Sequence, residues 1–255
     1  MSPRLRAALL VLVTLGVLAP AVVRVALHMP RFGAHPLPYG EAINRNAVRE
    51  RHVTNMVTAV NFDYRALDTL GEEFMLYGAV IGAVMLLRGG RGEAPAARPG
   101  LVPGRPIPAR SEAVVLLTRL VTPLTLLFGI YVVIHAQLTP GGGFQGGAII
   151  GSGFLLWYLA EGYPGWRRMA PSPPLRIAEC AGAAAYALAG FAPMLVGAKY
   201  LQNTLPLGQT KALLSGGLIL ILNAAVAFAV AGGFALLFGE FLEETREAKP
   251  EGEGE

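Results

Sequence analysis

Apolar runs without a hydrophilic face are the feature that most constrains the fold of this chain. They cover residues 5–27, 71–87, 113–137, 146–159, 177–198 and 212–238. Apolar side chains surround every turn of these runs. A helix needs about 20 residues to cross a bilayer, and most of the runs are close to that length. We therefore predict an all-α integral membrane protein with about six transmembrane helices, two followed by four.

The first run, 5–27, has two interpretations. Basic residues before an apolar stretch are also typical of a signal peptide. The run is long for the apolar part of such a peptide, so a transmembrane helix is the favoured interpretation.

Composition argues in the same direction. Charged residues make up 15% of the chain, against about a quarter in soluble domains, which argues against a water-soluble enzyme. Segment 239–255 holds seven Glu against one Arg and one Lys, so the rest of the chain carries a net charge of +9. These basic residues are spread over loops, which suits contact with anionic lipid and not with nucleic acid. Cys180 has no Cys or His at metal-ligand spacing, so no metal site, disulfide within the chain or cofactor is predicted.

The loops divide the chain into four parts. We predict a two-helix module over 1–88, a linker rich in Arg, Pro and Gly over 89–112, a four-helix domain over 113–242 and a charged tail over 243–255. Lys and Arg number about twelve on one side of the spans and about eight on the other. This excess predicts that both termini lie in the cytoplasm.

An acidic segment, VTAVNFDYRALDTLGEEF (57–74), precedes the second apolar run. A carboxylate near a bilayer is by default a proton or cation site, and two carboxylates four residues apart share a helix face. An Arg beside them could hold one ionised. The alternative is a capping box in which Thr69 is the N-cap of the helix and Glu72 reaches back to it. The candidate ion-path residues are Asp63, Arg65, Asp68 and Glu72, with Glu73 beside them.

A glycine segment, HAQLTPGGGFQGGAIIGSG (135–153), interrupts the apolar runs. Proline cannot continue a helix interior and glycine permits unusual backbone shapes, so a broken helix or a turn is expected. Such a break could line an ion path; alternatively, Gly143, Gly147 and Gly151 form a small-residue ridge for close helix packing. His135 could relay a proton or simply be hydrogen-bonded. The candidate structural motif consists of Pro140, Gly141, Gly142, Gly143, Phe144, Gln145, Gly146 and Gly147.

Few other ionisable residues lie inside the predicted spans. Arg119 should meet a carboxylate, because an unpaired guanidinium in a membrane is expensive. Glu179 is expected to pair with Arg176 or to contact another chain, and Glu161 to face water. After residue 111 only Arg119, His135 and Glu179 are embedded, too few for a relay across about 30 Å of hydrocarbon. This count favours a lateral subunit over a pump.

The sequence resembles a known family at these motifs. Residues 113–241, with HAQLTPGGGFQGGAI and LPLGQTKALLSGGLILILN, resemble the MnhB (MrpB) subunit of the multi-subunit Na+/H+ antiporters of the Mrp type. Residues 55–87, with NFDYRALDTLGEEF, are similar to the carboxy-terminal part of the large A subunit, which also occurs as a small separate subunit in membrane-bound hydrogenases. The chain thus resembles a fusion of the two.

The resemblance implies a subunit of a monovalent cation/proton antiporter in the cell membrane, with Na+ and H+ as the ions and no catalysis of its own. Its partners would be large complex-I-like subunits that hold the main proton channels. Asp68, Glu72, Pro140, Phe144 and His135 match family positions. In the family the DTLGE piece normally ends a much larger polypeptide. An equivalent subunit of a hydrogenase or another complex-I-related oxidoreductase, and a purely structural adaptor, are the alternatives.

Overall fold

The computed structural model describes residues 3–29, 38–92, 101–103, 111–242 and 245–247. They fall into two compact units, 1–42 and 43–255. The elements are α1 (Pro3–His28), α2 (Pro38–Arg51), α3 (Met56–Ala59), a π-helix (Val60–Tyr64), α4 (Ala66–Gly92), β1 (Leu101–Pro103), α5 (Glu112–Ile134), α6 (Gly143–Met169), α7 (Ser172–Phe191), a 3-10 helix (Ala192–Val196), α8 (Leu218–Leu242) and β2 (Thr245–Glu247).

In the described part of the chain, four helices are long and apolar enough to cross a membrane. They cover Ala66–Leu87, Glu112–Ile134, Ser172–Val196 and Leu218–Leu242, and the first unit has a shorter apolar helix over Leu18–His28. The prediction of an all-α integral membrane protein is confirmed. The sixth predicted run began at residue 212, but α8 begins at Leu218 because Gly216 and Gly217 adopt positive φ values of 91° and 59°.

Helix α6 carries the fourth predicted run and is interrupted. It begins at Gly143, the last glycine of the Pro-Gly-Gly-Gly motif, and at Gly162 the backbone is not helical (φ 69°, ψ −168°). A positive φ is readily available only to glycine. The turn predicted at the glycine segment is therefore present, and a second break follows 19 residues into the helix.

Most of the predicted linker and tail lies outside the described residues, namely 93–100, 104–110, 243–244 and 248–255. Within the described part, α4 continues through Gly92, past the predicted boundary at residue 88. β1 pairs antiparallel with β2, with Leu101 opposite Glu247. Three residues of the predicted tail thus form a strand with the linker.

Helix α8 forms the centre of the second unit, packed between α6 and α7 with α4 beside it. Two thirds of its most apolar stretch is buried, as expected for a helix that is hydrophobic all round. A Cβ added at Gly143, Gly147 or Gly151 would come within 3.0 Å of α8. The packing interpretation of this glycine ridge is therefore confirmed.

Gly147→Ala should lower the stability of the second unit. The added methyl would lie 2.8 Å from the Ala227 carbonyl oxygen and 2.9 Å from Val230 Cβ, and such overpacking costs about 1–3 kcal/mol. Gly78→Ala is the control, because no atom lies within 4 Å of its added methyl. Thermal unfolding of the purified chain in detergent should begin at a lower temperature for Gly147→Ala alone. Equal unfolding temperatures would mean that α6 and α8 can move apart at no cost.

Candidate cation and proton site

The turn between α5 and α6, which we call the glycine turn, is hydrogen-bonded to the segment that leads into the acidic residues. We call these hydrogen bonds the clamp. Asn55 caps α3 through its side-chain oxygen, which accepts from the Val57 amide at 3.1 Å. Its side-chain nitrogen donates to the carbonyls of Ala136 (2.8 Å) and Thr139 (2.9 Å). The Thr58 hydroxyl also donates to Ala136 at 2.8 Å. The two motifs that the sequence places some 80 residues apart therefore form one structural unit.

A π-helix shapes the chain just before α4. The Arg65 amide donates to the Val60 carbonyl at 2.8 Å, and the Thr69 hydroxyl donates to the Asn61 carbonyl at 2.7 Å. Short π segments are frequent at functional sites. Since α4 begins at Ala66, Thr69 lies inside the helix, and the capping-box alternative is wrong.

A polar cavity lies beside the start of α4; we call it the Asp63 cavity. Its volume is about 870 Å³, and its polar lining includes Arg51, Asp63, Arg65, Asp68, Lys199 and Asn203. Asp63 is tied down there: Arg51 Nε lies 2.6 Å from Oδ1, and Asn203 Nδ2 donates to Oδ2 at 3.1 Å. Arg65 pairs with Asp68 at 2.5 Å, and both side chains are more than half exposed. The Asp63 cavity thus contains one fixed and one solvated carboxylate.

Tyr64 also lines the Asp63 cavity. Its hydroxyl donates to Glu50 Oε2 at 2.6 Å, and the Arg51 guanidinium lies 4.9 Å from the ring centroid. Burial, followed by the hydrogen bond to Glu50, raises the pKa of Tyr64 to about 12. The phenol therefore stays protonated at physiological pH and keeps its hydrogen bond to Glu50.

Glu72 lines a different cavity, which we call the Glu72 cavity. Its volume is about 180 Å³, and it is lined by Thr58, Asn61, Thr69, Glu72, Gly141 and Gln145, among others. Asp68 and Glu72 share α4, as predicted, but each lines its own cavity. The structure therefore brings Asp63, Arg65 and Asp68 together and places Glu72 against the glycine turn.

His135 belongs to neither of these cavities. Its Nδ1 lies 3.0 Å from the Tyr131 carbonyl, and its ring stacks on Tyr131 with centroids 4.0 Å apart. This geometry favours the hydrogen-bonded interpretation over a proton relay shared with Asp68 and Glu72.

Asn223 is a residue that sequence reasoning missed. It is buried in α8; its side-chain oxygen accepts from the Gly143 amide at 2.5 Å, and its side-chain nitrogen donates to the Val133 carbonyl at 2.8 Å. It thus ties both ends of the α5–α6 break to α8. The available signal was a lone amide in an otherwise apolar span, which is costly unless satisfied.

The predicted carboxylate partner of Arg119 is present. Arg119 Nε lies 2.6 Å from Glu161 Oε1, joining α5 to α6. The prediction for Arg119 is confirmed. Glu161, which was predicted to face water, is 28% exposed and also forms this ion pair. The pairing arises because α5 and α6 are antiparallel neighbours across the glycine turn.

Three carboxylates are buried among the apolar helices: Glu73 on α4, Glu179 on α7 and Glu240 on α8, each 5% exposed or less. Among the described residues no ion pair joins Glu179 to Arg176, so that predicted pair is wrong; Glu179 is buried between its helix and α8, whereas Arg176 is exposed. Sequence reasoning grouped Glu73 with its exposed neighbour Glu72 and Glu240 with the acidic tail. Neither residue was recognised as embedded.

Comparison with known sequences identifies a related family and similar proteins. A family profile described as a domain related to the MnhB subunit of Na+/H+ antiporters matches residues 113–236. The uncharacterized protein MJ1307 of Methanocaldococcus jannaschii is 32% identical over 205 residues, covering 72% of this chain and 75% of that protein. Antiporter subunit mnhB2 of Staphylococcus aureus (strain Newman) is 35% identical over 88 residues, which are 34% of this chain and 60% of that subunit.

Two solved structures share the fold. A chain of the membrane-bound sulfane sulfur reductase, an archaeal respiratory membrane complex, aligns with a TM-score of 0.69 and 28% identity, covering 93% of this chain and 99% of that chain. A chain of the Mrp complex from Dietzia sp. DQ12-45-1b aligns with a TM-score of 0.66 and 22% identity, covering 100% of this chain but 27% of that chain. The same fold thus occurs as nearly a whole chain and as part of a much longer one.

Proposed function

We propose, because the chain belongs to the MnhB family of membrane subunits, that it is a subunit of a multi-subunit antiporter that exchanges protons for a monovalent cation, Na+ in the first instance. The observation that carries this proposal is the clamp between Asn55 and the glycine turn. It joins the family-matched part of the chain to the acidic segment. The carboxylates that we propose to exchange ions are thereby attached to the fold that this chain shares with part of an Mrp complex.

In the proposed mechanism Asp68 and Glu72 take up and release protons and cations. Arg65 pairs with Asp68 at 2.5 Å and so holds its carboxylate in place beside the cavity. Glu72 lines a small cavity together with Gly141 and Gln145, where oxygen atoms of the turn and of side chains suit a hard monovalent cation. The Pro-Gly-Gly-Gly turn shapes this cavity, and Asp63 holds the neighbouring loop through Arg51 and Asn203.

The proposed partners are large complex-I-like subunits that hold the main proton channels. Helix α5 exposes a stripe of large apolar residues at helical spacing, Leu116, Leu120, Leu124 and Leu127. Such a stripe suits contact with lipid or with a neighbouring membrane subunit. The two termini are proposed to lie in the cytoplasm, and residues 1–88 to be a module fused to the family domain.

The experiment that tests this function is purification of the tagged full chain from its native membranes in mild detergent. We expect large antiporter subunits to accompany it, and vesicles containing the purified complex to show a pH change that depends on added Na+. An untagged strain processed in parallel controls for unspecific carry-over. Isolation of the chain alone, with no Na+-dependent pH change, would contradict the proposal.

A second candidate function is membership in a respiratory membrane complex. The alignment with the sulfane sulfur reductase chain supports it, because that alignment covers nearly all of both chains. In that case the driving force is electron transfer, and the co-purifying subunits should contain iron–sulfur clusters or nickel. The same purification therefore separates the two candidates by the metals and subunits it recovers.

A further inference from the structure

The three buried carboxylates lie along one helix interface at increasing depth. A Cβ added at Gly233 of α8 would meet Glu179 Oε1 at 3.2 Å and Val80 Cγ2 of α4 at 3.3 Å, so Glu179 lies at the level of Val80 and Gly233. Val80 follows Glu73 by seven residues, and Glu240 follows Gly233 by seven. Seven residues are two helical turns, about 10 Å along the axis. Glu73 and Glu240 therefore lie on opposite sides of Glu179.

The direction of the helices supports this order. Thr69 lines a cavity with Val226, whereas Val84 lines a cavity with Leu236 and Glu240, so α4 and α8 run in parallel. Helix α7 runs the other way, since Gly182 contacts Ala225 whereas Leu175 contacts Gly232. From Glu73 to the level of Glu240, the carboxylates extend over two such steps, about 21 Å of a hydrocarbon layer of about 30 Å.

Two of these carboxyl groups contain an oxygen without a hydrogen-bond partner in the described part of the chain. They are Oε1 of Glu73 and Oε1 of Glu179, in side chains 2% and 5% exposed. A buried polar atom left unpaired costs about 1–3 kcal/mol, and native structures satisfy most such atoms with protein or water. The atoms therefore indicate that something mobile, water or a proton donor, reaches this interface.

A cavity lies beside the part of the interface that holds Glu179 and Glu240. We call it the Glu179 cavity; its volume is about 550 Å³, and its lining includes Tyr77, Val80, Arg176, Glu179, Cys180 and Glu240. Tyr77 lies one turn after Glu73 on α4, and its hydroxyl lies 3.6 Å from Cys180 Sγ. A phenol both donates and accepts hydrogen bonds. Tyr77 can thus bridge the gap between Glu73 and the cavity that Glu179 shares with Glu240.

We propose that Glu73, Glu179 and Glu240 form a transmembrane proton path along the α4, α7 and α8 interface. A proton that enters from the Glu72 cavity converts the Glu73 carboxylate to the acid. It passes through water and the Tyr77 hydroxyl to the Glu179 carboxylate, then through the Glu179 cavity to Glu240, and leaves beside Arg176. One proton leaves for each that enters, every group returns to its starting form, and the path works in both directions.

The groups that face this path come from each of the three helices. Helix α4 supplies Glu72 and Tyr77, α7 supplies Arg176 and Cys180, and α8 supplies Glu240 itself. Tyr186 of α7 lies near Glu73 and Glu72. The Tyr186 hydroxyl donates to the Ala66 carbonyl at 2.8 Å and is therefore not free to carry the proton. Among the described side chains that line the Glu179 cavity, Arg176 is the cation, and it lies at the end where the proton leaves.

This inference rests on the proposed function only for the source of the protons, so its test does not require antiport. Infrared spectra of the purified complex in lipid should show the carbonyl band of protonated carboxyl groups growing as the pH falls. On transfer to D2O this band should shift promptly, since the path is wetted. Glu179→Gln should remove part of the band, whereas Glu112→Gln, at an exposed carboxylate outside the path, should leave it unchanged.

Proton flux through vesicles containing the complex gives the second readout. Glu73→Gln and Glu179→Gln should each cause loss of the flux, and Glu112→Gln should not. A band that stays unshifted in D2O for hours, or a full flux in both Gln variants, would overturn the path. The D2O exchange of the unmodified complex decides the question even if a variant fails to fold. If no antiporter subunits co-purify but the exchange is prompt, the proposed function fails and the path stands.

Discussion

Replacement of Asp68 and Glu72 together by Asn and Gln is expected to abolish Na+-dependent proton exchange in vesicles and to leave assembly of the complex intact. Amides have nearly the same shape as the carboxyl groups but neither bind nor release protons. Both side chains are exposed, and exposed substitutions usually change stability by about 0.5 kcal/mol or less. The measurement is the change of internal pH on addition of Na+, together with recovery of all subunits.

The single variants refine this result. Asp68 lines the Asp63 cavity and Glu72 lines the Glu72 cavity. Each single replacement should therefore reduce the rate of exchange, because each removes a carboxylate that acts at a different step. Glu112→Gln is the matched control, because Glu112 is an exposed carboxylate at the start of another span. Unchanged exchange in the double variant, with the complex assembled, would leave this chain as a structural adaptor.

Asn55→Leu is expected to destabilise the second unit by about 2 kcal/mol or more. The change removes an N-cap, worth about 1 kcal/mol. It also leaves the Thr139 carbonyl without the donor that Asn55 supplies, at about 1–3 kcal/mol for a group left unsatisfied, whereas the Ala136 carbonyl keeps the Thr58 hydroxyl as a donor. The measurement is the thermal unfolding of the purified chain in detergent, together with Na+-dependent exchange by the complex.

Asn55→Asp separates the two contributions. Aspartate keeps the oxygen that caps α3 but cannot donate to the carbonyls of the turn. It should therefore lose most of the stability that Asn55→Leu loses, whereas Asn44→Ala, at an exposed position of α2, should lose almost none. If Asn55→Asp unfolds like the unmodified chain, the clamp on the glycine turn contributes nothing.

The sequence predicted the break between α5 and α6 but not what holds it. Proline lacks an amide hydrogen and clashes with the preceding turn, so the end of the helix near Pro140 follows from local chemistry. The residues that satisfy the freed backbone groups, Asn55 and Asn223, lie more than 80 residues away along the chain. No local pattern could identify them, because each looks like a single polar residue in its own segment.

The contacts of the charged residues also divide into a part that the sequence predicts and a part that only helix packing decides. Arg119 in a span requires a carboxylate wherever the chain supplies one, so the existence of a partner was predictable. Its identity as Glu161 depends on how α5 packs on α6. Likewise Asp63 meets Asn203 only because the segment after α7 returns to the start of α4.

The sequence by itself determined that this protein is a helical membrane protein with an acidic segment and a glycine turn, because apolar run length and proline chemistry act locally. The tertiary structure alone decided which of two adjacent acids, Glu72 or Glu73, is buried. Consecutive residues of a helix point about 100° apart, and α4 is apolar on every side below its first turns. Only its packing against α7 and α8 therefore selects the face that holds Glu73 inside the membrane.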